Sequence, residues 1–243
     1  MSVPIFVHLG APEYLDYVLK LTRKNNTGRI ILLGDESNKE IAIRNKVEHY
    51  LVSDYNQSIP YYHVSVNGEK YEKFCFERWF IIKNFVLKNS IPQFVHSDSD
   101  NALLTDFSKF SYANASFISG TTAIVPNVFF MTTESVVQIT DFYMKLYSLP
   151  FDEFKKSVGK YLDMTMGGGH YSDMYFLKQA VDECGIQVDK LDETKFNSAY
   201  NGNTNYYNVH FNGRNNKKYA KILYDSQSSG IKYPSIKWGL KKI

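Results

Sequence analysis

The stretch from Pro92 to Leu104, PQFVHSDSDNALL, carries the strongest signal in the chain. Its apolar start predicts a short buried strand, which ends in two carboxylates with Asp-x-Asp spacing, Asp98 and Asp100. Side chains of an extended segment alternate between faces, so these two aspartates can point the same way. Paired carboxylates at the carboxyl end of a strand suit a divalent cation, and open α/β sheets bind ligands at that edge. The alternative is a solvated turn that an aspartate caps.

The sequence before this stretch alternates short apolar runs with helical patterns, which favours parallel βαβ units. The apolar runs predict strands at 5–9, 29–33 and 47–52, and helical spacing predicts helices after Pro12, up to Arg44 and over 71–89. In the last of these helices Cys75, Trp79, Ile82 and Val86 form an apolar stripe with helical spacing. We therefore predict an α/β fold whose sheet edge carries Asp98 and Asp100.

The second half of the chain has a different pattern. It predicts strands at 115–125 and 128–132 separated by Gly120 and Pro126-Asn127, helices at 134–147 and 172–183, a polar stretch at 150–166 and a loop at 197–205. Ser172 is a candidate cap for the last helix, and Gly185 is placed to end it.

Composition limits the classes of function. The chain of 243 residues fits one domain. A net charge of +3 is too small to indicate nucleic acid as a partner, although the lysines near the C-terminus leave a weak contact with a membrane surface open. Two cysteines, no signal peptide and no long apolar run predict a cytoplasmic protein without a transmembrane segment.

Two motifs together resemble a known family. A helix with Arg78 at its middle leads through the apolar strand into HSDSDNALL, and Val209 to Gly213, VHFNG, is followed by Lys217-Lys218. This arrangement is similar to the DXD region and the His-x-x-Gly-x-x-Lys element of GT-A glycosyltransferases, in particular retaining hexosyltransferases of the glycogenin and lipopolysaccharide galactosyltransferase type. The resemblance implies a GT-A-like, Rossmann-like, mixed and mostly parallel sheet flanked by helices, with a smaller acceptor-side subregion. Within this single domain it implies a nucleotide-binding half at 1–100 and an acceptor-side half at 101–243 that includes a metal- and diphosphate-binding C-terminal segment. It also implies a nucleotide-sugar donor, with a UDP-sugar favoured, a glycan or glycoconjugate acceptor, and Mn²⁺ or Mg²⁺ as cofactor.

The resemblance also assigns roles to individual residues. It implies that Asp98, Asp100 and His210 bind the metal, and that Gly213 and a lysine contact the diphosphate. Lys217 lies one residue beyond the position in the family pattern, so Lys217 and Lys218 are interchangeable candidates. Imidazole and carboxylates together suit Mn²⁺, but His210 can also be a strand histidine that is hydrogen-bonded in the core. Ser99, between the two aspartates, is expected on the donor side.

The glycine run Gly167-Gly168-Gly169, followed by His170, permits close approach of the backbone to a ligand. We expect Gly168, Gly169 and His170 on the acceptor side. Asp173, at the start of the following helix, is the candidate catalytic carboxylate, as general base or as the group that orients donor and acceptor. A carboxylate there also simply favours the helix dipole.

The loops after the first two strands are expected to hold the nucleoside, because such loops do so in doubly wound folds. His8, Leu9 and Gly10 end the first strand, and Asp35 follows the second; Asp35 is either a ribose or base contact or a turn aspartate. Arg78 either reaches the diphosphate or pairs with a surface carboxylate.

Three rival functions remain open at this stage. The stretch DSDNAL also looks like the nucleophile motif of haloacid-dehalogenase-type phosphatases, but Asn101 replaces its glycine and the motif lies on the fourth strand instead of the first. A metal-dependent nucleotidyltransferase and a non-catalytic nucleotide-sugar binder are the others.

Overall fold

The fold is seen in a computed structural model that describes residues 2–119, 123–165, 169–192, 194–196, 206–211 and 216–229. The strands are β1 Val3–Val7, β2 Ile31–Gly34, β3 Glu48–Leu51, β4 Gln93–Ser97, β5 Asn101–Leu103, β6 Ala115–Ser119, β7 Ile124–Thr132, β8 Val188–Lys190 and β9 Asn208–His210. The helices are α1 Glu13–Asn25, α2 Lys39–Arg44, α3 Glu69–Lys88, α4 Thr133–Tyr147, α5 Phe151–Val158, α6 Asp173–Cys184 and α7 Tyr219–Ser229.

Seven strands form the main sheet, in the order β3-β2-β1-β4-β7-β6-β8. The first four are parallel to one another, β7 runs antiparallel to both β4 and β6, and β8 runs parallel to β6. The predicted mixed and mostly parallel sheet is therefore confirmed. A separate two-stranded antiparallel sheet pairs β5 with β9 and so brings the C-terminal part of the chain against the segment that follows β4.

Helices cover both faces of the main sheet, because its strands are apolar on both sides. In β1, Ile5 and Val7 pack in the cluster that includes α3, α4 and α6, while Phe6 packs with α1, α2 and α7 on the opposite face. Strands buried on both faces read as continuous apolar runs, which is the pattern that predicts them. The apolar stripe predicted on α3 is buried in the first of these clusters or at its edge.

One prediction for the second half is wrong. Pro126 and Asn127 lie inside β7 instead of between two strands. The pairing of β6 with β7 shifts register between Phe117 and Ile118, and such an irregularity tolerates a proline that cannot donate to the ladder. The stretch 150–166, predicted only as polar, contains α5, which buries Phe154 and Val158. Gly120 and the predicted loop at 197–205 lie outside the described residues.

Among the helices that the structure describes, none is long and apolar enough to cross a membrane.

Candidate functional site

Asp98 and Asp100 follow β4 directly, at the carboxyl ends of the parallel strands. The chain turns here: the Asp98 amide donates to the Asn127 carbonyl of β7 at 3.1 Å, and the Asn101 amide donates to the Asp98 carbonyl at 3.0 Å. The segment is therefore a supported turn and not an extended strand end. Both carboxylates nevertheless line the same cavity.

His210 is brought to these aspartates by the small sheet, in which β9 pairs with β5 so that His210 lies opposite Asn101. The Phe211 amide donates to the Asp100 carbonyl at 2.8 Å, and His210 Nε2 lies 3.2 Å from Asp100 Oδ1. One ligand atom from each of Asp98, Asp100 and His210 lies within 4.8 Å of the others. Two carboxylates and an imidazole can hold a divalent cation, and three protein ligands leave coordination positions for other oxygen atoms.

The two lysines that the sequence leaves interchangeable take different positions. Lys217 lines the cavity, with its Nζ 3.5 Å from Asp100 Oδ2 and 4.4 Å from the centre of the Tyr14 ring. Lys218 Nζ lies 5.2 Å from the centre of the Tyr219 ring, and Lys218 does not line the cavity. Lys217 is therefore the lysine that faces the aspartates. Gly213, the glycine of the motif, lies outside the described residues.

Arg78 on α3 bridges two carboxylates from different parts of the chain. One guanidinium nitrogen donates to Asp98 Oδ1 at 2.7 Å, and the other pairs with Asp173 Oδ2. Its Nε is buried and has no hydrogen-bond partner among the residues that the structure describes. Burial opposes ionisation of Asp98, but Arg78, His96 and His210 together outweigh burial and hold the pKa of this carboxyl well below its usual range. Arg78 thus lies in the site and not, as one sequence alternative has it, on the surface.

Asp173 is the first residue of α6, and its side chain is buried. Burial raises the pKa of Asp173 to about 6; Arg78 lowers it, while Glu72 and Asp98 raise it further. The carboxyl is therefore mostly ionised at neutral pH, but it is far easier to protonate than an exposed aspartate.

The start of α6 is capped in a way that the sequence does not indicate. Ser172 occupies the cap position, but its side chain makes no capping hydrogen bond. Instead Glu72, a buried residue of α3, accepts from the Asp173 amide at 3.2 Å. The other oxygen of Glu72 accepts from Ser65 Oγ at 3.0 Å and from Asn67 Nδ2 at 2.7 Å. No local signal identifies this role, because a glutamate in the first turn of a helix is also favourable on the surface.

These groups surround a cavity of about 370 Å³. Its lining residues are Val7, His8, Tyr14, Asn67, Tyr71, Glu72, Phe74, Cys75, Arg78, Asp98, Ser99, Asp100, Ser172, Asp173, Met174, His210 and Lys217. The cavity joins the carboxyl ends of β1 and β4 to the starts of α3 and α6, which is the edge at which open α/β sheets bind ligands.

His8 and Ser99 lie together in this cavity, with His8 Nδ1 2.8 Å from Ser99 Oγ. The pKa of His8 is lowered to about 4, mainly by burial and also by Lys217, while Asp100 partly offsets both effects. His8 is therefore uncharged at neutral pH, and its hydrogen bond with Ser99 adds no charge to the site.

The other residues predicted near the nucleoside do not line the cavity. Asp35 accepts from the Gly10 amide at 2.7 Å and from the Ser37 amide at 2.9 Å, which ties the loop after β1 to the loop after β2. Asp35 caps the short 3₁₀ turn before α2, where its side chain accepts from the Ser37 amide. Gly10 has a φ of +87°, and Leu9 is exposed beside it.

Gly169 and His170, which are predicted on the acceptor side, do not line the cavity. His170 is buried; its Nδ1 accepts from the Val66 amide at 3.3 Å, and its backbone pairs with that of Asp163. Gly169 has a φ of +93°, a conformation that side chains disfavour. Gly168 lies outside the described residues. Here His170 supports the segment next to Asn67, which itself lines the cavity.

Comparison with known proteins identifies the fold. No protein-family model matches the sequence, and no curated protein sequence matches it. Solved structures do match.

Mouse xyloside xylosyltransferase 1 aligns with a TM-score of 0.55 and 12% identity over 80% of this chain and 86% of its own. The glycosyltransferase GlyE of Streptococcus pneumoniae aligns with a TM-score of 0.54 and 14% identity over 98% of this chain and 66% of its own. An active-site mutant of LgtC aligns with a TM-score of 0.50 and 9% identity over 98% of this chain and 99% of its own.

The mixed, mostly parallel seven-stranded sheet flanked by helices agrees with this similarity. The chain therefore has the GT-A glycosyltransferase fold.

Proposed function

We propose that this chain is a metal-dependent glycosyltransferase that transfers a sugar, with a UDP-hexose favoured as donor, to a hydroxyl of a glycan or glycoconjugate. The observation that carries the proposal is the Asp98, Asp100 and His210 cluster, which lies in one cavity with the cations Arg78 and Lys217. Clustered metal ligands and fixed cations at this edge of the sheet match the charge of a nucleotide diphosphate.

Asp98, Asp100 and His210 would hold the cation, for which Mn²⁺ suits the mixed oxygen and nitrogen ligands and Mg²⁺ is the second candidate. A divalent cation at these ligands supplies charge neutralisation for the departing diphosphate.

The chain's own cations would share the diphosphate with the metal. Lys217 Nζ lies on the metal side of the cavity, beside Asp100. The buried Nε–H of Arg78 has no partner among the described residues. Arg78 can therefore donate a hydrogen bond to an oxygen of the nucleotide sugar and keep its pairs with Asp98 and Asp173. Gly213 remains a proposed contact from the motif alone. On the nucleoside side, His8 and Ser99 face the cavity, with Leu9, Gly10 and Asp35 further along the same edge.

Asp173 is the carboxylate that we assign to the reacting sugar. Arg78 pairs with both Asp98 and Asp173, so Asp173 is held near the proposed metal ligands without being one of them, and it lines the cavity. A carboxylate near the reacting carbon can orient the acceptor, take its proton or stabilise an oxocarbenium-like state. We favour a retaining reaction, on the strength of the His210 motif.

The test is an assay of a panel of nucleotide sugars for release of nucleoside diphosphate, with and without Mn²⁺. Wild-type protein should release the nucleotide from at least one donor only with the metal, and Asp100→Asn should lose this activity. Asp54→Asn, at an exposed aspartate away from the cavity, is the matched control and should keep it.

The rival functions give different outcomes in this assay or in parallel assays with other substrates. A phosphatase would instead release phosphate from an aryl phosphate with Mg²⁺. A nucleotidyltransferase would consume pyrophosphate together with the nucleotide sugar. A non-catalytic binder would hold the nucleotide sugar without any turnover, and any of these three results would contradict the proposal.

A further inference from the structure

The cavity is lined not only by the proposed metal ligands and Arg78 but also by Glu72, Ser172 and Asp173, where α3 meets α6. Arg78 joins Asp98 to Asp173, and the Asp173 amide in turn donates to Glu72. Glu72 and Ser172 therefore lie past the carboxylate that we assign to the reacting sugar. A group that binds there lies on the side of that sugar away from the diphosphate.

At this end of the cavity, the hydroxyl group of Ser172 makes no hydrogen bond with the described part of the chain. Ser172 lines the cavity and is 2% exposed. The capping role expected of a serine at this position is taken by Glu72. A buried hydroxyl without a partner lowers the stability of the native state, so its presence beside a cavity points to a ligand that completes its hydrogen bonding.

The neighbours of Ser172 combine polar and apolar surface. One carboxylate oxygen of Glu72 accepts from Ser65 and Asn67, and among the described residues the other accepts from the Asp173 amide alone. A carboxylate oxygen can accept two hydrogen bonds, so it has capacity for a ligand hydroxyl. Tyr71, which precedes Glu72 on α3, also lines the cavity and is 65% exposed, so an aromatic side chain is available to a ligand that enters from solvent.

A carbohydrate ring has the matching surface, because it presents hydroxyl groups at its edge and an apolar face that packs on aromatic rings. We propose that Glu72, Ser172 and Tyr71 form the acceptor subsite, and that Ser172 Oγ hydrogen-bonds a hydroxyl of an acceptor sugar that stacks on Tyr71. This inference rests on the proposed function. It moves the acceptor side from Gly168, Gly169 and His170 to the junction of α3 with α6.

The experiment uses full-length protein with Mn²⁺ and UDP, titrated calorimetrically with methyl glycosides of a set of hexoses and pentoses. At least one glycoside should bind wild-type protein, and Ser172→Ala should weaken that binding by about three- to tenfold, the scale of one hydrogen bond. UDP affinity should not change. The melting temperature of Ser172→Ala should stay level or rise, because the variant removes a buried hydroxyl that has no partner.

Thr132→Ala is the matched control, since Thr132 occupies the equivalent cap position of α4 and does accept a hydrogen bond, from the Ser135 amide at 3.1 Å. This variant should lower the melting temperature by about 2–4 °C and leave glycoside binding unchanged.

Three results would overturn the subsite. They are equal glycoside affinity in Ser172→Ala and wild type, no glycoside binding to protein that does bind Mn²⁺ and UDP, and a loss of UDP affinity in Ser172→Ala. Failure of wild-type protein to bind UDP in the presence of Mn²⁺ is a different result, because it contradicts the proposed function itself.

Discussion

Arg78 Nη1 donates a hydrogen bond to Asp98 Oδ1 at 2.7 Å, so a proposed metal ligand already has a cationic partner from the protein. The same guanidinium pairs with Asp173, and both carboxylates lie in a largely buried environment. Arg78 therefore holds two negative charges that would otherwise repel each other in a medium of low polarity. This arrangement keeps the site assembled before any cation or donor arrives.

Arg78→Ala should destabilise the metal-free protein by about 3–5 kcal/mol, because it leaves two buried carboxylates without their counter-charge. Saturating Mn²⁺ should restore part of this loss, since a cation at Asp98 replaces some of the missing charge. Urea unfolding with and without Mn²⁺ measures both effects. Arg29→Ala is the control: its pair with Glu48 is exposed, so its loss should cost at most about 1 kcal/mol and should not respond to Mn²⁺. Equal losses in the two variants would remove the special role of Arg78.

His210→Ala should weaken Mn²⁺-dependent binding of a nucleoside diphosphate by about tenfold or more, the scale expected when a metal site is impaired. The reason is that His210 Nε2 lies beside Asp100 at the proposed metal position. Calorimetric titration measures the affinity, and His63→Ala, at an exposed histidine outside the cavity, is the control. A variant that melts earlier but keeps its full metal response would make His210 a structural histidine of β9.

Asp173→Asn should bind donor almost as well as wild type, because metal and diphosphate supply most of the affinity, while kcat falls by about 10²-fold. Burial raises the pKa of Asp173 to about 6, so its carboxylate form fills as pH rises through that value. The wild-type kcat should therefore increase between about pH 5 and 7 and then level off.

The control for this prediction is Asp182→Asn, an exposed aspartate at the other end of α6, which should keep both kcat and its pH dependence. Normal turnover in Asp173→Asn would leave Asp173 as a buried partner of Arg78 only.

His8 should make the protein less stable in mild acid. Burial and Lys217 lower the pKa of His8 from 6.5 to about 4, so below about pH 6.5 the unfolded chain takes up a proton that the native state does not. The stability from neutral His8 is thus complete above about pH 6.5 and is lost as pH falls towards 4. Between pH 7 and pH 5 the wild type should lose up to about 2 kcal/mol more than His8→Asn, measured by urea unfolding. An identical pH dependence of the two proteins would show that His8 does not titrate in this way.

The sequence locates the parts of the site that depend on local signals. An apolar run followed by charged turn residues identifies the end of β4, and the His-x-x-Gly pattern places His210 near the same point. It does not predict that β9 pairs with β5, because β9 is too short to show a strand pattern of its own.

Tertiary contacts decide the rest. Arg78 has a clear position on a helix, but its partners come from β4 and α6, and no spacing rule connects these segments. Ser172 satisfies the local rule for a helix cap, yet Glu72 from α3 provides the hydrogen bond instead. Lys217 and Lys218 are adjacent and chemically alike, so only the path of the chain into α7 distinguishes them.

The most direct test of the central claim is the affinity of UDP for wild-type protein and for Asp100→Ala, each measured by calorimetry with and without Mn²⁺. Asp100 contacts His210 and Lys217 and lies in the turn after β4, so its side chain is central to the proposed metal site. The account predicts that Mn²⁺ tightens UDP binding to the wild type by about tenfold or more, and that Asp100→Ala loses this enhancement while it remains folded. Full retention of the enhancement in Asp100→Ala would contradict the account.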